Sequence, residues 1–243
     1  MRQGAFALLI AVLLTALLPG ASTRTQPART DLNLLIAIDC SYSVNSAEFQ
    51  LQSVGIANAL RSEEVFAAIQ SGRFGRISIA VIQWSGPDTQ EIVVPWTLVA
   101  SRNDAFSIAD QVEAAPRLTA EGVTAIGSAI TFAIDYHAKA PFFADRQVID
   151  MQADGTSTWS RGVPIRQARN RAVDNGLVVN GLPILNEIPY LHHYFRNHVI
   201  GGPGSFIEIA DNYRAFETAI KRKLIREIRG MALSRRAHDA SAT

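Results

Sequence analysis

The chain has 243 residues, 48% of them hydrophobic and 19% charged, enough for one sizeable core in a single domain. A formal net charge of +1 gives no global attraction to nucleic acid or to an acidic polymer. The lone cysteine, Cys40, excludes an internal disulfide framework and any cysteine-built zinc or iron–sulfur site. At the end of an apolar strand it reads as a small buried hydrophobe.

Arg2 precedes an apolar run from Ala5 to Leu18, and Pro19-Gly20-Ala21-Ser22 follows. A short positive start, an apolar core of about 14 residues and small residues after it read as a secretory signal peptide over 1–22. A membrane-spanning helix needs about 20 apolar residues, so no span is expected in the mature chain; an uncleaved anchor is the alternative. Residues 23–30 read as a polar linker, 31–230 as the domain and 231–243 as a disordered tail. The expected location is outside the cytoplasm, periplasmic or secreted.

Leu32 to Ile38 is an apolar run of the kind buried on both faces of a parallel sheet, and it ends in Asp39. Residues 45–60 follow as an amphipathic helix that Ser43 or Asn45 can cap, then a short helix over 63–70 ended by Ser71-Gly72. Strand 77–84 and return strand 91–96 flank the turn Ser85-Gly86-Pro87-Asp88, and Pro95 marks the return strand as an edge. Helices are expected over 102–115 and 125–138, and a buried strand over 147–153 leads into Asp154-Gly155. A helix to about 175, a strand over 177–182, an ambiguous stretch over 189–198, a last strand over 205–210 and a helix over 212–229 complete the domain. Strands alternating with helices predict an α/β fold: a doubly wound, Rossmann-like, mostly parallel sheet with one antiparallel edge strand and helices on both faces.

Asp39-Cys40-Ser41-Tyr42-Ser43 places one carboxylate and two hydroxyls in alternation at a strand end, a donor set suited to a small hard cation. Chain direction brings further oxygens to it. If the first strand runs up, helix 45–60 descends, strand 77–84 rises and the return strand descends. Helix 102–115 then climbs, so Thr124 lies at the top, and strand 147–153 rises to place Asp154 there too. Ligands in open α/β sheets bind outside the carboxyl ends of the strands. Thr124 also opens a helix, where a hydroxyl serves as a cap, and Asp154-Gly155 also suits a turn.

With these pieces in order, the chain resembles a von Willebrand factor type A domain. Its metal-ion-dependent adhesion site combines D-x-S-x-S, a Thr in a later loop, here within Gly122-Val123-Thr124-Ala125-Ile126-Gly127, and an Asp before Gly at the end of a later strand. More narrowly, the chain is similar to a family of exported bacterial proteins of unknown function that carry such a domain. Gln83-Trp84-Ser85-Gly86-Pro87, Val93-Val94-Pro95-Trp96-Thr97, Asn180-Gly181-Leu182-Pro183-Ile184 and Arg222-Lys223-Leu224-Ile225-Arg226-Glu227 carry that likeness over roughly Asp31 to Gly230. Tyr42 departs from the pattern, standing where such domains often have Gly.

The resemblance implies a divalent cation, Mg²⁺ first with Mn²⁺ or Ca²⁺ as alternatives, held by Asp39, Ser41, Ser43, Thr124 and Asp154. A partner protein's Asp or Glu would complete the coordination, with Tyr42 and Trp159 as a contact rim. This chemistry needs no nucleophile, so no enzyme is expected. Ser41 or Ser43 as a hydrolase nucleophile lacks a G-x-S-x-G elbow, and a nucleotide-binding reading lacks G-x-G-x-x-G after the first strand. A third reading is an envelope-associated structural factor using Lys221, Arg222, Lys223, Arg226 and Arg229 of the last helix against anionic lipid; a docked helix with a solvated basic face is the plainer account.

Overall fold

A computed structural model describes residues 28–117, 122–158 and 162–230. The signal-peptide segment, residues 23–27 of the linker, Trp159 and the tail lie outside the described residues. In chain order the elements are β1 (Arg29–Thr30), β2 (Asn33–Asp39), α1 (Ser46–Arg61), α2 (Glu63–Gln70), β3 (Ile77–Trp84) and β4 (Gln90–Val99). Then come α3 (Arg102–Ala114), α4 (Ile126–His137), β5 (Phe143–Ala144), β6 (Gln147–Ala153), α5 (Ile165–Asp174) and β7 (Val178–Pro183). The chain closes with α6 (Leu191–Tyr194), a π-helical turn (Phe195–Val199), a 3₁₀ turn (Tyr213–Ala215) and α7 (Phe216–Arg229).

The main sheet runs β4-β3-β2-β6-β7, parallel except for the antiparallel pair β3–β4. Every residue of β2 is buried, because both faces are covered. Val65 of α2, Ile56 of α1, Ile108 of α3 and Ile220 of α7 pack on the face carrying Leu34, Ile36 and Ile38. Ile130 of α4, Ala168 of α5 and Leu191 of α6 pack on the face carrying Leu35 and Ala37. The short β1 pairs with β5 in a separate two-stranded sheet, within the segment read as linker.

Local chemistry sets the boundaries. Asn45 caps α1 in a capping box with Glu48, accepting from Ala47 and Glu48 while Glu48 accepts from the Asn45 N–H. Pro95 sits in the outer strand β4, near shifts in its pairing with β3, as a residue without an N–H must. The ambiguous 189–198 stretch is helical, α6 running into the π turn.

Two expectations change. The strand read over 205–210 is reduced to isolated parallel bridges, Gly181↔Ile207 and Ile184↔Ala210. Pro183 has no N–H to donate to such a ladder, and Asn180 Oδ1 takes the Phe206 N–H at 3.0 Å. Lys223, read among the basic residues of the last helix, is fully buried and contacts Asp150 (2.6 Å) and Glu227 (2.5 Å). Its helix position lies on the face of Phe216, Ile220 and Leu224, which pack into the core.

Gly127 in the first turn of α4 allows the loop before α5 to approach: a Cβ there would lie 2.0 Å from the Val163 carbonyl oxygen. Gly127→Ala should therefore destabilise the fold by about 1–3 kcal/mol despite the better helix propensity of alanine. Urea denaturation of the two proteins reads this directly; equal midpoints would show that the loop yields freely.

Candidate metal site

Asp39 closes β2 with no exposed surface. Its Oδ1 accepts the Ser41 N–H at 2.7 Å, the local turn that lets the chain leave the sheet edge. Its Oδ2 is equally buried and has no hydrogen-bond partner. The backbone around it is pinned from two sides. Gln52 Nε2 of α1 donates to the Asp39 carbonyl at 3.2 Å, and Arg117 Nη2 donates to the carbonyls of Cys40 (3.2 Å) and Ser41 (3.1 Å).

The hydroxyls come next. Ser41 Oγ and Ser43 Oγ lie 3.3 Å apart, and Ser43 Oγ donates to Asp154 Oδ1 at 2.6 Å. Asp154 follows β6, and its Oδ2 accepts the Tyr213 hydroxyl at 2.9 Å. Thr124 enters from the loop before α4. A Cβ on Gly155 would lie 4.0 Å from both Ser43 Oγ and Thr124 Oγ1, so the two hydroxyls flank one glycine. The Thr124 N–H donates to Thr158 Oγ1 (3.0 Å), and its carbonyl accepts from Thr158 N–H (3.0 Å) and Ser157 Oγ (2.9 Å). Helix α4 begins after Ala125 without a side-chain cap, so the Thr124 hydroxyl is not spent as a helix cap.

The structure thus brings Asp39, Ser41, Ser43, Thr124 and Asp154 to the carboxyl edge of the sheet. Tyr42 projects outward with 78% of its surface exposed, while its N–H donates to Gly122 O at 2.8 Å. Cys40 turns inward, its Sγ 3.4 Å from Gln83 Oε1, and burial with the neighbouring Asp39 charge pushes its thiol up to about 12. His137 is remote from these hydroxyls, sunk between α4 and β6 with Nε2 3.2 Å from Val148 O.

Electrostatics mark Asp39 as the strained member. Burial, then the charge of Asp154, pushes its carboxyl up to about 7, against the lowering effect of the Ser41 donors. The Tyr213 phenol is raised by burial and by the charges of Asp154 and Asp39, so it stays protonated as a donor. Two carboxylates converging with three hydroxyls, one carboxylate oxygen lacking any partner, fit a small cation that prefers oxygen. No group of three or more His, Cys, Asp or Glu is placed to hold a metal among the described residues.

Tyr213, Arg117 and Gln52 escaped the sequence reading, although the signal for two of them existed. Extending the direction count past 205–210 puts Tyr213 at the same edge, and the loop from Pro116 that carries Arg117 lies there by the same count.

The family described as Protein of unknown function (DUF1194) matches residues 29–232. Among curated proteins none matches this sequence. Among solved structures, proximal thread matrix protein 1 (PTMP1) from the mussel byssus aligns at a TM-score of 0.63 and 13% identity, over 83% of this chain and 49% of that one. A form of the same mussel protein with a zinc-occupied MIDAS motif aligns at 0.59 and 14% identity, over 83% of this chain and 49% of that chain. This chain therefore spans about half the length of the mussel chains. The vWF domain of the type V pili tip protein Mfa5 from Porphyromonas gingivalis aligns at 0.56 and 10% identity, over 85% of this chain and 99% of that one. At these identities the likeness is one of fold, and the fold is that of von Willebrand factor type A domains.

Tyr213→Phe removes the donor that satisfies Asp154 Oδ2 and leaves a buried carboxylate oxygen short of a partner. With chelator present, the variant should lose about 2 kcal/mol of stability in urea denaturation. A loss below about 0.5 kcal/mol would mean that this hydrogen bond contributes little to holding Asp154.

Proposed function

The chain belongs to that family of unknown function, and we propose that its domain captures a partner protein through a divalent cation held by Asp39, Ser41, Ser43, Thr124 and Asp154. The observation that carries this reading is the orphaned Oδ2 of the fully buried Asp39, set beside Asp154 and three convergent hydroxyls. Evolution seldom leaves a buried carboxylate oxygen without a donor or counter-ion, because its desolvation goes uncompensated. A bound divalent cation supplies positive charge to the two aspartates and a position that an incoming carboxylate can take. Mg²⁺ is the first choice, since hydroxyl and carboxylate oxygens suit it; Mn²⁺ and Ca²⁺ are the alternatives.

Each residue has a distinct task in this reading. Asp39 and Asp154 set the charge, Ser41, Ser43 and Thr124 supply neutral oxygens, and Gln52, Arg117 and Tyr213 hold the loops in place. A partner's Asp or Glu side chain is the complementary group, and the exposed ring of Tyr42 offers it an apolar rim. Trp159, outside the described residues, belongs to the same proposed rim. The mussel relative supports the choice of ligand class, since its MIDAS motif is described as zinc-occupied. The chemistry is non-covalent, and the domain is read as acting outside the cytoplasm after removal of residues 1–22. Among the described residues no helix is long and apolar enough to cross a membrane.

The test is a thermal scan of wild type and Asp39→Ala with Mg²⁺, Mn²⁺ or chelator. A cation at a hundredfold excess over its Kd stabilises the folded state by about 2.7 kcal/mol, a readily measured rise in Tm. The variant should keep its fold in chelator, since it also loses the repulsion between the two carboxylates, and should show a much smaller rise. Identical responses of the two proteins to both cations would refute a cation site at Asp39.

A further inference from the structure

Asp150 of β6 and Lys223 and Glu227 of α7 form a cluster of ionisable side chains sealed from water between the helix and the sheet. Lys223 Nζ contacts Asp150 Oδ1 at 2.6 Å and Glu227 Oε1 at 2.5 Å, so one ammonium serves two carboxylates. We propose that Asp150 and Glu227 hold a single proton between them in the folded domain, and that this proton fastens α7 to β6, so that the docking of the helix weakens as the pH rises.

The count of charges comes first. Fully ionised, the three groups bury a net negative charge, a costly arrangement away from water. The groups around them do not cancel it. Asn180 Nδ2 of β7 donates to Glu227 Oε1 at 2.9 Å and is neutral, as is Gln152, two residues along the same face of β6. In β2 the residue paired with Asp150 is the apolar Ile36. Arg146 is a further cation, but its guanidinium donates to the backbone carbonyls of Glu227 (2.7 Å) and Ile228 (2.6 Å). The Arg226 guanidinium lies over the Phe206 ring, 3.8 Å from its centroid. The remaining charges of α7 are spent at the surface: Lys221 on Glu64 of α2, Arg222 on Glu208, and Glu217 on Asn58 of α1.

The hydrogen bonding agrees with the count. As carboxylates, neither Asp150 nor Glu227 can donate, and Asp150 Oδ2 and Glu227 Oε2 are buried without a partner. With one proton the two side chains hydrogen-bond to each other around Lys223, and the cluster becomes neutral. Burial, then the charge of Asp150, pushes the Glu227 carboxyl up to about 7 against the pull of Lys223, and burial raises Asp150 as well. The titration belongs to the pair. An ordinary Glu loses its proton near 4.5, so between there and about 7 the folded chain keeps a proton that the unfolded chain has released. The stabilisation is complete below this window, falls by up to about tenfold in the folding constant per pH unit across it, and levels off above.

Glu227→Gln and Asp150→Asn each leave one carboxylate to one ammonium and need no proton. Wild type and both variants are unfolded in urea, with chelator present, at pH values from about 5 to about 8. Asp39 and His137 have shifted titrations of their own, but both are common to the three proteins and cancel in a ratio. The folding constant of the wild type relative to each variant should fall about tenfold or more over that range, whereas packing alone would give a constant ratio. A second measurement covers the case in which a variant does not fold. Carbon-13 NMR of the wild type, labelled only at the Glu side-chain carboxyls, should show one resonance responding to pH near 7, far above the other glutamates. The proposal is overturned if the ratio changes by less than that amount for the variants that fold, or if no Glu carboxyl responds to pH near 7.

Discussion

Complete burial of Asp39 at the end of the central strand is the constraint around which this fold is arranged. A carboxylate removed from water needs donors or counter-charge, and the chain supplies only part of them. The Ser41 N–H serves one oxygen, while Gln52 and Arg117 hold the adjoining carbonyls instead of the carboxylate itself. The second carboxylate, Asp154, is better provided for, with Ser43 on one oxygen and Tyr213 on the other. The two aspartates are thus held unequally: both oxygens of Asp154 have hydroxyl donors, and Asp39 Oδ2 has no hydrogen bond.

That arrangement depends on sheet direction. Four parallel strands deliver their carboxyl ends to one edge, and the antiparallel β4 reverses the path so that the loop after α3 arrives there as well. Chain direction is legible in a sequence whenever elements alternate cleanly, which is why the positions of Thr124 and Asp154 relative to Asp39 followed from counting. The apolar runs 32–38 and 147–153 were equally plain, because a strand covered on both faces cannot afford polar alternation. Asp150 and Gln152 are exceptions inside the second run, both buried, and nothing local in the sequence announced their partners.

What stayed hidden were contacts between distant segments. Lys223 sits among Lys221, Arg222 and Arg226, and in isolation such a cluster reads as a solvated basic face. Only the packing of α7 against β6 shows that Lys223 turns inward to Asp150 while its neighbours stay at the surface. Tyr213 is similar: its role exists only because the 3₁₀ turn before α7 passes Asp154. The interrupted pairing of 205–210 was hidden for a different reason, since an apolar alternating stretch gives no sign that its neighbour strand offers a proline where a donor is needed.

The two sides of the sheet are closed off unequally, and this bears on how the molecule behaves at high local concentration. On the β7 side, 205–210 lies alongside through scattered bridges and occupies the polar groups that an intruding strand would need. On the β4 side the outer strand is ten residues long, yet it carries Pro95 and breaks register with β3. A strand so interrupted is a poor template for sheet-to-sheet joining between molecules. Neither flank therefore offers an unbroken strand along which one copy of the domain could join its sheet to another's.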